Sequence, residues 1–148
     1  MQELRAKLEA THIRRLALDH YEFARAGLLE YERRMRPTLA GLDGLRSVLE
    51  YIRDMKTMQF DRVETAIARL TRFMTTVDAI TPPDDLAGIH ATFVSAVRMA
   101  RDACERRRLA VVTNKIQTDR EASSAAAGAL LLTEEGKRGL VASLYPPR

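Results

Sequence analysis

The 148-residue chain is long enough to bury one core without disulfides or a structural metal, and 46% apolar with 30% charged residues exclude a disordered chain. Its net charge of +4 is evenly spread, with eight basic and six acidic side chains over residues 1–36, six and six over 37–80, and ten and eight over 81–148, so there is no basic arm of the kind that binds nucleic acid. One cysteine, Cys104, excludes an internal disulfide framework.

Residues 2–36 carry apolar side chains at Leu4, Leu8, Ile13, Leu16, Ala17, Phe23, Ala24, Leu28 and Tyr31, spacings that repeat near the helical period. Pro37 disfavours helical geometry at Arg36 and removes a backbone donor, which predicts either a hairpin corner or a kink there. Gly41 and Gly44 soften the same region, and a second helix resumes through Leu42, Leu45, Leu49, Ile52 and Met55.

Asp61 and Glu64 fit the spacing of a capping box and predict the start of a third helix. Its apolar residues Val63, Ile67, Leu70, Met74 and Val77 alternate four and three apart, as in helices packed nearly parallel to their neighbours. Thr81-Pro82-Pro83-Asp84 marks the sharpest boundary, with Thr81 as a cap and the two following aspartates suited to a helix N-terminus. A fourth helix follows through Leu86, His90, Phe93, Val97, Ala100 and Cys104, and its stripe shifts phase to Leu109, Val112 and Ile116. From Glu121 to Thr133 small and apolar residues cover nearly every side of a helix, the pattern of a helix buried on several faces. Thr133 with Glu134 and Glu135 predicts a last short helix to Leu144, ended by Pro146 and Pro147.

These elements predict an all-α fold in a single domain, 1–148: an up-and-down antiparallel bundle of four main helices, about 2–36, 38–58, 61–80 and 83–113, with a further helix of about 115–144 continuing it or packing on it. Met1–Arg15 has neither an apolar core nor a small-residue cleavage site, and the charge-free stretch Ala122–Thr133 is far shorter than the ~20 residues a membrane span needs. The expected location is cytoplasmic. Twenty arginines against four lysines fit a GC-rich bacterial genome as readily as any function.

No phosphate loop, dinucleotide fingerprint, paired cysteine ligands or nucleophile elbow occurs, and Gly136-Lys137 lacks the preceding glycine and strand of a phosphate cradle. Glu9 and His12 have the spacing of half a di-iron site, with no second pair to complete it. His20 and His90 both fall on apolar stripes and need polar partners if buried. Facing each other, or a methionine such as Met55, Met58, Met74 or Met99, they form the candidate cofactor-binding pair of a metal-, haem- or small-apolar-ligand bundle; at stripe edges they bond carbonyl, carboxylate or water instead. Cys104 lies on the same stripe as His90, which predicts burial over thiolate reactivity.

The basic clusters Arg14–Arg15, Arg33–Arg34–Arg36 and Arg106–Arg108 lie near acids such as Glu30, Glu32, Asp102 and Glu105 at helical spacing, which predicts solvated ion pairs. Ser124 and Gly128 stand four apart and Leu130, Leu131 and Leu132 point in three directions, making this segment the candidate interface. The reading is a non-enzymatic helical bundle, without cofactor or catalytic residues, acting through a protein partner or as a homo-oligomer. The histidine pair supplies the alternative.

Overall fold

The computed structural model describes residues 1–146; Pro147, half of the terminating proline pair, lies outside them. Among the described residues there are five α-helices, a 3-10 turn and no strand. The helices are α1 Gln2–Gly44, α2 Arg46–Arg53, α3 Phe60–Asp78, α4 Ala87–Thr113 and α5 Ile116–Leu144, with the 3-10 turn Asp84–Leu86 leading into α4.

The first boundary differs from expectation. Pro37 is neither corner nor terminus, because α1 runs through it for 43 residues. Its ring lies on the exposed face, where water can bond the carbonyl left without a donor, while Tyr31, Met35, Thr38 and Leu42 stay buried on the opposite line. Burial of that line on both sides of the proline holds the helix together. The chain instead breaks at Leu45 (φ −97°, ψ 0°), just after Gly41 and Gly44, so the helices expected over 2–36 and 38–58 become one long and one short segment.

Other expected ends shift for identifiable reasons. Helix α3 starts at Phe60 with Gln59 before it and no side-chain cap, so Asp61 contributes charge to the first turn and no capping box forms. Thr81 caps nothing, since the two prolines delay helix until the 3-10 turn. Helix α4 ends at Thr113, and Asn114 adopts the left-handed conformation (φ 56°, ψ 37°) that its short polar side chain tolerates. Thr133 starts no new helix. It lies inside α5 and donates its hydroxyl to the Ala129 carbonyl at 2.8 Å, which satisfies it without a helix end.

One core joins all five helices, centred on Met35, Ile52, Val63, Leu70, Val77, Leu86, Phe93 and Val97. The most extensive packing is between α4 and α5. Their buried residues are small, Ala96, Ala100 and Ala103 on one helix and Ala122, Ala126 and Ala129 on the other, which lets the two backbones approach closely. Helix α3 packs beside α4, and α2 beside α5. At one end, Arg25 of α1 donates to the Leu144 carbonyl at 2.8 Å and Gly27 lies by Pro83, so α5, α1 and the α3–α4 connection meet there. No helix among the described residues is long and apolar enough to cross a membrane.

Candidate functional site

Beyond Arg25 the first helix has no neighbour. Residues 1–24 are all exposed, so about 36 Å of helix, at 1.5 Å per residue, projects from the end of the bundle. Eight large apolar side chains stand on it in water: Met1, Leu4, Leu8, Ile13, Leu16, Leu18, Tyr21 and Phe23, the last 81% exposed. Its charges number four acidic (Glu3, Glu9, Asp19, Glu22) and four basic (Arg5, Lys7, Arg14, Arg15), and none of them forms an ion pair among the described residues. So many large apolar side chains left in water on one helix, arranged around most of its circumference, point to a surface that something covers. One helix running through Pro37 and past a shorter core is what the kink alternative at that proline implies, and the point where its cover ends, at Arg25, is set by the other helices.

The histidine pair is not brought together. His90 is buried under the same end of the bundle, where its Nδ1 and the Tyr31 hydroxyl are hydrogen-bonded at 2.9 Å, with the two rings edge-to-face at 76° and 5.6 Å between centroids. Desolvation holds the His90 pKa below its usual value, and burial pushes the Tyr31 phenol up to about 12. His20 stands exposed on the projecting helix, eleven residues from Tyr31, or about 16 Å along the axis. One ion held at the ~2 Å of metal–nitrogen bonds does not reach both rings. The methionines are spent elsewhere: Met74 sulfur accepts from Arg101 at 3.4 Å, and Met99 packs over Gly128. No group of three His, Cys, Asp or Glu among the described residues is placed to hold a metal, and Glu9 and His12 are both exposed on the projection.

Cys104 is fully buried, and burial pushes its thiol up to about 12, far from thiolate at neutral pH. Of the candidate interface residues, Gly128 faces inward, where an added Cβ would run into the Met99 methyl group; Leu130 and Leu132 are half-buried, and Ser124 and Leu131 are exposed. The small face of the segment is turned toward α4, and only its outer line reaches solvent.

Part of the basic clusters forms the expected pairs at helical spacing, whereas Arg14 and Arg15 pair with nothing among the described residues. Arg33 pairs with Glu30 at 2.7 Å, Arg36 with Glu32 at 2.6 Å and Arg106 with Asp102 at 2.8 Å. Arg107, expected with its cluster on a solvated face, is instead buried and bonds Asp119 at 3.0 Å and the Lys56 carbonyl, fastening α4 to the start of α5 and to the α2–α3 loop. It borders a cleft of about 330 Å³ with Met58, Ala110, Asn114 and Lys115, and its two partners already occupy it. No family model, curated protein or solved structure matches the chain.

Proposed function

We propose that this protein is a non-enzymatic helical bundle that acts by docking to another protein chain through residues 1–24 of α1. One observation carries the reading: eight large apolar side chains on a helix that nothing in its own fold covers. Burying a side chain of this kind is worth about 1.5–3 kcal/mol, so a partner helix or groove is the natural complement. The even balance of charge on the segment favours a protein surface over an anionic membrane or nucleic acid, which select a basic face.

The rest of the fold supports an interaction role. Its buried polar groups are consumed internally, His90 by Tyr31 and Arg107 by Asp119. The helix pairings further support reading α1 and α2 as one broken helix in an up-and-down bundle with α3, α4 and α5.

A photo-crosslinking residue placed at Leu8 in the living cell tests the reading, with Arg72 on the exposed face of α3 as control. Discrete protein adducts from position 8 and none from position 72 are expected. Absence of any protein adduct from position 8 sinks the proposal.

A further inference from the structure

Resting on the reading of residues 1–24 as a protein-docking element, we infer that the partner is a second copy of this chain, lying antiparallel along the segment with residue i opposite residue 24 − i. The large apolar side chains do not gather on the continuation of the bundle-facing line, where Ile13 is followed by Ala17, His20 and Ala24. At 3.6 residues per turn a different line forms, Met1, Arg5, Leu8, His12, Leu16, Asp19 and Phe23, stepping four and three as packed helices do. It stands roughly 110° around α1 from the line of Tyr31, Met35, Thr38 and Leu42 that faces the core, so a helix seated on it runs past the bundle and not into it.

This line is complementary to its own reverse. Antiparallel pairing sets Met1 against Phe23 of the second copy, Arg5 against Asp19, Leu8 against Leu16, and His12 against itself at the twofold axis. On the line each charge meets its opposite and each of its four large apolar side chains meets another, as an interface shared by two identical surfaces requires, while Leu4, Ile13, Leu18 and Tyr21 lie off it. Parallel pairing in register does the reverse, setting Arg5 on Arg5 and Asp19 on Asp19. The position of the bundle is compatible with this register. Pairing 1 with 23 stops just before Arg25, the residue that ties α1 to the Leu144 carbonyl, so the seam ends where the bundle begins.

Light scattering on the full chain should give twice 16.7 kDa at high protein concentration, falling toward one copy on dilution. Arg5→Asp and Asp19→Arg each place two like-charged contacts in the seam and should weaken dimerisation by about tenfold or more, and the double exchange should return it to within about threefold. Both positions lie outside the bundle, so the variants keep their fold. His12→Cys should cross-link to itself on oxidation; Arg5→Cys and Asp19→Cys should cross-link only when mixed, with Cys104 silent because it is buried. A monomer at high concentration, failure of the double exchange to rescue, or self-cross-linking by Arg5→Cys overturns the inference. A pure chain that is monomeric yet gives adducts with other proteins from position 8 overturns the second copy and leaves protein docking standing; no adduct of any kind removes both.

Discussion

The Tyr31 hydroxyl of α1 and the Nδ1 of His90 on α4 are hydrogen-bonded at 2.9 Å, and both residues are buried where the projecting helix leaves the bundle. Burial takes the ring out of water, which disfavours its charged form. His90 therefore binds its proton less readily in the folded chain than in the unfolded one, in line with the downward direction of its pKa. The stability it contributes is fully present above the ordinary histidine value of 6.5 and is lost as pH falls from there through the lower folded value. Thermal melts from pH 7.5 to 5 should show a falling midpoint, and His90→Gln should flatten that slope. An unchanged slope in the variant would assign the acid sensitivity to another group.

Arg107 should be the charged residue whose loss costs the bundle most. Its side chain is only 7% exposed, and its removal strands the partly buried Asp119 and the Lys56 carbonyl together. Leaving one member of a fully buried pair uncompensated costs about 3–5 kcal/mol, reduced here because water reaches Asp119, so Arg107→Met is expected to cost about 2–3 kcal/mol. Arg33→Met, at a fully solvated pair, should leave stability close to that of the parent. Chemical denaturation of the two variants checks the contrast.

Two glycine substitutions should have opposite signs. A Cβ on Gly136 would stand 2.5 Å from the ring of Phe93, a fully buried residue with nowhere to retreat, so Gly136→Ala should destabilise by about 1–3 kcal/mol. At Gly88 nothing lies within 4 Å, and Gly88→Ala should stabilise by roughly 0.5 kcal/mol through improved helix propensity. Unfolding midpoints measured under one condition decide both, and a stable Gly136→Ala protein would mean that α4 and α5 are less tightly packed than described.

The legible parts of this fold are those that local pattern controls. The alternation from Val63 to Val77, the double proline at 82–83 and the stripe from Leu86 to Cys104 each specify an element from neighbouring residues alone. Pro37, read as a corner or a position inside one helix, is the latter, and Thr133 starts no helix, because tertiary burial on both flanks, of Met35 with Thr38 and of Ala129 with Leu140, holds each helix through it. The Tyr31–His90 bond joins residues 59 apart, beyond any periodic pattern, although the position of His90 on an apolar stripe did indicate a need for a partner. A long first helix past a shorter core follows from one of the two readings of Pro37, but its extent does not: periodicity shows which face of a helix is apolar, and only the lengths of the other helices show where its cover runs out.

Hydrogen exchange along α1 should make that end of cover visible. A helix without tertiary packing is marginal in water, so at high dilution the amides of residues 5–23 should exchange close to the rate of unprotected chain. Those from Met35 to Leu42 lie under the core and should exchange only with opening of the bundle. On raising the concentration, protection should spread into residues 5–23 and leave the core amides unchanged, because association covers the projection alone. Leu8→Ser should abolish that spread without shifting the melting midpoint of the bundle, whereas Leu70→Ala, in the core, should cost about 2–5 kcal/mol. Protection of residues 5–23 that is already complete at high dilution would show that the segment folds back on its own bundle, and that the apolar side chains from Leu4 to Phe23 are covered within one chain.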